Sequence, residues 1–291
     1  AFADNIPILI LLGGNRLDQL SVRPNFMAVQ RYQGWAKSVE AIYQPEQVGA
    51  VMRRAFHALR NGPPGPVVVE LTADVCAQEV PEASQAYHSP KLVRQRPEAS
   101  SIREAVEILR AAKKPVIWSG AGVLFSGATD RLRELAELTA MPVFCTMPGK
   151  SSFDERHPLA LGAGSGTTKL PAHRWLVESD VLLALGTSLT RSRYAQPVRS
   201  GKKIIHNSIN ADDINKDEPA DVGLIGDTKL TIEALIAEIK AQTGGKELGD
   251  RKATEADVAK VKAEGMAEGQ SVLDGDEEPI GYYRGINELN K

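Results

Sequence analysis

Cysteine is almost missing from this chain: Cys76 and Cys145 are the two among 291 residues, each set in an apolar stretch without a CxxC pair or a Cys/His cluster. That scarcity argues against a disulfide framework and structural zinc, and it fits reduced thiols in a cytoplasmic protein. Excess charge is missing too, since Lys+Arg (35) nearly balances Asp+Glu (37) for a formal -2. There is no basic field to hold nucleic acid. Long apolar runs are also absent, and the stretch from Ile6 to Leu12 falls far short of the ~20 residues a membrane crossing needs. It reads as a core strand, with no membrane partner and no signal. The five histidines, His57, His88, His157, His173 and His206, show no HxxxH or HExxH spacing, so nothing supports metal binding through them. A Gly-x-Ser-x-Gly elbow is lacking and neither cysteine has a histidine nearby in sequence; a covalent hydrolase is not indicated.

What is present is an alternation of apolar runs and amphipathic stretches. Pro7 to Gly14 is apolar and ends in glycines; Glu46 to Leu59 carries Val48, Val51, Met52, Ala55, Phe56 and Leu59 at helical spacing; Val67 to Val69 follows a turn of three prolines and two glycines. Strand, helix, rigid turn and buried strand make an α/β layer. A polar stretch separates this from a second series. Helix Ile102 to Ala112, strand Lys114 to Ser119, a Gly120-Ala-Gly122 turn and helix Thr129 to Thr139 come first, with strands Met141 to Met147, Asp180 to Thr187 and Lys202 to His206 after them. Helix Leu170 to Val177, a short strand Asp221 to Asp227 and a closing helix Thr228 to Ala241 complete it. The pattern predicts an α/β fold of doubly wound parallel sheets. By composition the boundaries fall at 1–80, 81–96 as linker, 97–245, and 246–291 as a charged linker followed by an apolar end. The stretch 246–276 reads as a mobile linker or a helix without its partner, and Pro279 to Lys291 as a helix either disordered or docked on a neighbour.

In a doubly wound sheet, ligands lie outside the carboxyl ends of the strands. The small and polar residues at those ends are Gly120 and Gly122, Thr146, Gly162 and Gly164, Gly186, Thr187 and Ser188, and Ser208 and Asn210. Together they form a candidate nucleotide cleft. Each has a bland alternative: a strand-to-helix turn needs glycine whether or not its N–H groups receive a phosphate, and Gly162-Ala-Gly-Ser-Gly166 is a donor-rich loop or merely a loop. Arg191, Arg193 and Arg199 either clamp a pyrophosphate or lie in solvent. Lys37 reads as a solvated helix-end lysine.

The order of the pieces carries more. Arg53-Arg-Ala-Phe56 and Gly62-Pro-Pro-Gly-Pro-Val67 lead to Asp74-Val75. Then come Gly149-Lys-Ser-Ser-Phe-Asp154, His157-Pro-Leu-Ala-Leu-Gly162, Asp180-Val-Leu-Leu-Ala-Leu-Gly186, Lys203-Ile-Ile-His206 and Gly226-Asp227. This series resembles the thiamine diphosphate-dependent decarboxylase and acetolactate synthase family over nearly the whole chain. The resemblance implies that 1–80 is the second half of a pyrimidine-binding domain, 97–245 a Rossmann-like central domain, and 246–291 the lead-in to a pyrophosphate-binding domain.

It further implies thiamine diphosphate and Mg²⁺ as cofactors of the complete enzyme, and a dimer or tetramer with its cleft between subunits. The reaction implied is 2-keto acid decarboxylation with transfer of the two-carbon unit, the carbanion being stabilised by the cofactor. In some members the central domain binds FAD or ADP. The family's activating glutamate is expected upstream of Ala1 and its GDG…N metal motif downstream of Lys291, so no catalytic residue is assigned here. Such a chain is not expected to turn over substrate alone. An alternative is a noncatalytic nucleotide-binding or assembly module. Ser208 and Asn210 stand where the family has an acidic pair, and Met27 follows Phe26 where it has glutamine.

Overall fold

A computed structural model describes residues 1–85, 87–165, 171–192 and 194–289. The chain divides into two units, Ala1–Arg94 and Gln95–Lys291. In the first, β1 (Leu9–Gly14), α1 (Ala28–Tyr32), β2 (Ser38–Ile42), α2 (Val48–Arg60), β3 (Val67–Thr72), α3 (Ala73–Cys76) and α4 (Glu82–Gln85) follow one another. The three strands pair in parallel in the order β1-β3-β2. The valines of β3 take the centre because β-branched side chains suit a strand covered on both faces. Val67 and Val69 bury against Val51 and Ala55 of α2, with Ile42 and Val75 beside them.

The proline-rich turn before β3 is fastened from inside. The Lys37 backbone N–H donates to Pro66 at 2.8 Å, and its ammonium donates to the carbonyls of Ala58 and Asn61, closing the end of α2. A cation there opposes the negative end of the helix dipole. Lys37 is therefore not the solvated lysine its sequence position suggests. Burial lowers its pKa from the ordinary lysine value.

The second unit contains α5 (Ala99–Ala111), β4 (Pro115–Ser119), α6 (Ala121–Phe125), α7 (Thr129–Thr139), β5 (Val143–Cys145), β6 (Ala160–Ala163) and α8 (Pro171–Glu178). It continues through β7 (Val181–Leu185), β8 (Lys203–Ser208), β9 (Val222–Ile225), α9 (Thr228–Thr243), α10 (Arg251–Leu273) and α11 (Tyr282–Leu289). Six parallel strands run in the order β6-β5-β4-β7-β8-β9. The winding reverses between β4 and β7, as in a doubly wound nucleotide-binding sheet. On one face α5, α7 and α9 bury Val106, Leu135 and Ile236, among others; on the other, Trp118, Phe144, Trp175, Leu176 and Val258 form a second core. The all-apolar β7 is buried along its whole length, because helices cover both faces.

Two sequence expectations change here. Gly162 lies on the strand β6, and Gly164 directly after it; the strand is hidden in the sequence by its shortness and small residues. Gly162 has φ +82° at the point where the β5–β6 register slips, a bulge conformation open to glycine. The loop's Gly166 and the helix start at Leu170 lie outside the described residues. The stretch read as a mobile linker or a helix without its partner contains the 23-residue α10, and it has a partner: it docks on the second unit through the fully buried Val258, with Arg174 paired to Glu264 and the Lys262 ammonium donating to the Glu155 carbonyl. α11 meets the end of α10 by its polar side, Arg284 and Asn287 donating to the carbonyls of Asp274 and Leu273. Its Tyr282 and Leu289 are 79% and 87% exposed. Among the described residues no helix is long and apolar enough to cross a membrane.

Candidate functional site

Parallel pairing sends all six strands of the second unit the same way, so the ten candidate residues gather along one edge. At the reversal point they make a glycine seam. The Gly120 N–H donates to the Leu185 carbonyl and the Gly122 N–H to that of Gly186, both at 2.9 Å. A Cβ on Gly122 would stand 2.7 Å from the Gly186 Cα, and one on Gly149 would stand 2.8 Å from the Ser119 oxygen. Gly186 itself has φ +61°, and its N–H donates to Asn207. These glycines let backbones touch. The expected phosphate-receiving N–H groups of Gly120 and Gly122 are already donated to strand-end carbonyls, and the five-residue α6 offers no long helix dipole.

On the β7 and β8 side the edge is built of hydroxyls. Ser188 Oγ lies 2.8 Å from Thr190 Oγ1, and the Lys216 ammonium donates to Thr190 Oγ1 at 2.9 Å and to Asp213 Oδ1 at 3.2 Å. Ser208 donates to Asp213 Oδ2 at 2.7 Å and accepts the Asn210 N–H at 3.1 Å, while the Asn210 side chain accepts the Asp212 N–H. One hydrogen-bonded chain thus joins Ser188 to Ser208 through Thr190, Lys216 and Asp213. Sequence reading missed the three connecting residues. The turn Ala211–Asp213 brings the Asp213 carboxylate back to Ser208, a return that strand spacing does not signal.

Thr187 contributes its carbonyl to this side, accepting from His206 Nε2 at 2.8 Å, while its hydroxyl accepts the Leu189 N–H at 3.4 Å. Arg191 is committed to Glu218 in a two-pronged pair of 2.8 and 3.2 Å, which raises its pKa and leaves the expected clamp occupied. Arg199 is exposed, and Arg193 lies outside the described residues.

Thr146 sits at the end of β5, its N–H donated to Ser119 and its hydroxyl accepting from Gly149 at 3.0 Å. The Gly164 N–H donates to Cys145, and a Cβ there would meet the Phe144 ring at 2.6 Å. From β6 to β8 is four strand spacings, roughly 20 Å. Only an extended ligand of dinucleotide length could touch both Gly162 and Ser208. Burial raises the Cys145 pKa above the ordinary thiol value, so its sulfur is a core atom and not a nucleophile. Among the described residues no three His, Cys, Asp or Glu side chains form a group able to hold a metal ion. The edge offers hydroxyls, an amide and one Lys–Asp pair: groups for recognising a polar ligand.

Six parallel strands wound in both directions from β4 and β7, with helices on both faces, define a doubly wound α/β class of domain. Residues 102–235 match the family model described as thiamine pyrophosphate enzyme, central domain. The chain belongs to the thiamine pyrophosphate enzyme family. It is 33% identical over 238 residues to a probable acetolactate synthase large subunit of Methanococcus aeolicus, covering 79% of this chain and 38% of that protein. To the glyoxylate carboligase of Escherichia coli O157:H7 it is 31% identical over 244 residues, covering 81% and 41%. The crystal structure of benzoylformate decarboxylase from Polynucleobacter necessarius shares the fold with a TM-score of 0.70 at 23% identity, over 87% of this chain and 47% of that one. The chain spans about two fifths of the length of these curated relatives.

Proposed function

We propose that this chain is part of a thiamine diphosphate-dependent enzyme of acetolactate-synthase type, in which a 2-keto acid loses CO₂ and its two-carbon unit passes to an acceptor. The observation that carries the reading is the coincidence of a central-domain match over 102–235 with a doubly wound six-stranded sheet built from the same stretch. Thiamine diphosphate supplies carbanion stabilisation when bound. The described residues do not by themselves fit its metal–diphosphate end, since no three potential ligands converge. No step is assigned to them, and the chain alone is expected to be inactive. The working enzyme is a cytoplasmic homo-oligomer, dimer or tetramer, with Mg²⁺.

Within that enzyme the second unit supplies a framework whose polar edge, at Thr146, Ser188, Ser208 and Asn210, suits the sugar of FAD or ADP better than a phosphate. Gly120, Gly122 and Gly186 shape that edge, with Thr187, Gly162 and Gly164 flanking it. A noncatalytic nucleotide-binding module uses the same edge, and the joined hydroxyls from Ser188 to Ser208 favour keeping that reading beside the first.

The test has two arms. The 291-residue chain is supplied with thiamine diphosphate, Mg²⁺ and pyruvate or glyoxylate, and no CO₂ release is expected; turnover would overturn the partial-enzyme reading. Calorimetric titration with ADP and with FAD is expected to show binding by one of them. Silence with both would remove the nucleotide role of the edge.

A further inference from the structure

His206 is not among the edge residues, yet it is a fully buried titratable side chain on a strand that ends there. It stands on β8 between Ala184 of β7 and Gly223 of β9, neither of which carries a charge. Its Nε2 must carry the proton, because the Thr187 carbonyl 2.8 Å away can only accept. Its Nδ1 is sealed from solvent and has no hydrogen-bond partner among the described residues. The charged groups acting on the ring are Asp213 and Lys216, which oppose each other from the turn after β8.

The loop held by this bond is under tension. Leu189 has φ +46°, a region that a leucine occupies at a cost, and its side chain is buried against the second core. Gly186, at the head of the same loop, also has positive φ. The loop from Thr187 to Thr190 is held at its middle by the leucine side chain, at its start by the imidazole N–H and at its end by the Lys216 ammonium on Thr190.

We propose that His206 is a proton-operated latch on the Thr187–Thr190 loop, closed while the ring is neutral and released when Nδ1 takes up a proton. Charging the ring leaves the Nε2–H bond to Thr187 in place, but the proton on Nδ1 finds no acceptor and puts a cation in a sealed position, a cost that opening of the loop to water relieves. Burial holds the His206 pKa below the ordinary imidazole value, against the pull of the Thr187 bond and Asp213. Release accordingly begins on the acid side of about pH 6.5. The latch stands whether or not the edge binds a nucleotide.

Hydrogen exchange of the full chain between about pH 7 and about pH 5, corrected for intrinsic rates, tests it. The amides of 187–190 are expected to lose protection by up to about tenfold per pH unit below about pH 6.5, levelling off once the closed-state ring is itself charged, while β4 and β7 keep theirs. In His206→Gln, whose amide can still donate to Thr187 but does not titrate, the loop should be protected and flat with pH. Unchanged loop protection in the parent chain, or an equal acid loss in His206→Gln, would overturn the latch. Should His206→Gln fold poorly, nitrogen NMR of the parent chain decides: one titration at His206, with the Nε2–H tautomer above it and loop shifts moving in step, supports the latch. Independent loop shifts refute it.

Discussion

The two ends of the six-stranded sheet are built from opposite materials. At the amino end, charged residues precede the strands and are spent on backbone. Asp180, just before β7, accepts the N–H groups of Lys113 and Lys114 at 2.7 and 2.9 Å; Asp221, before β9, accepts the Ile204 N–H at 2.9 Å; Lys202, before β8, donates to the carbonyls of Leu176 and Ser179. At the carboxyl end the residues are glycines and hydroxyls. At the amino end charge is consumed by backbone groups, whereas the carboxyl end is small and polar. The difference teaches where to look for function in a sheet whose strands all read alike.

Substitution in the glycine seam should break the carboxyl end most severely. In Gly186→Ala the new Cβ meets the Gly122 Cα and the Val123 nitrogen at 2.8 Å, both of them backbone, at a residue whose φ is +61°. Crowding and strain together should cost about 3 kcal/mol, or roughly 10 °C in midpoint for a unit of this size. Thermal unfolding followed by circular dichroism checks it. A loss below about 1 kcal/mol would mean the seam opens easily, as a ligand cradle would.

Asn207→Ala comes next. The Asn207 amide donates to the carbonyls of Leu224 and Gly226 and to Thr231, at 2.8 to 3.1 Å, and its oxygen accepts the Gly186 N–H. Removing it leaves buried carbonyls unpaired, an expected loss of about 2 kcal/mol. A urea midpoint unchanged by the substitution would show that the seam and β9 are not coupled through this side chain.

The strands at this edge were legible because Val181 to Leu185 and Ile204 to Ile205 are continuous apolar runs, and parallel winding then dictates which ends meet. β6 escaped notice, being four residues with Gly162 in a bulge. α10 was legible as one of two alternatives but its docking was not, since its Ala, Glu and Lys carry no apolar stripe and the buried Val258 anchors it. The joining of Ser208 to Asp213, and of Arg191 to Glu218, depends on how a turn returns on itself, and no residue spacing encodes that. Lys37 misled for the same reason: its carbonyl partners are 21 and 24 residues away.

Acid should sharpen the contrast between the two ends. Burial works against ionised Asp180 and Asp221, but backbone donors, with Lys203 beside Asp221, outweigh it, and both pKa values lie below the ordinary aspartate value. A folded pKa below the unfolded one contributes stability that is full above about pH 4 and lost as pH falls through the folded value. Asp180→Asn should therefore flatten the acid limb of the stability profile. An acid limb as steep as the parent's would locate the loss elsewhere.

The smallest effect on stability is expected at the hydroxyls, and there it is the informative one. Ser208→Ala removes one bond to Asp213 and one acceptor for the Asn210 N–H, both partly solvated, so the midpoint should move by less than about 1 kcal/mol. If the edge recognises a nucleotide sugar, the same substitution should weaken ADP or FAD by about tenfold, equivalent to ~1.4 kcal/mol, because Asp213 loses the partner that aims it. A chain that unfolds early on losing this hydroxyl, with affinity unchanged, would put Ser208 with Asp180 among the structural groups and erase the contrast between the ends.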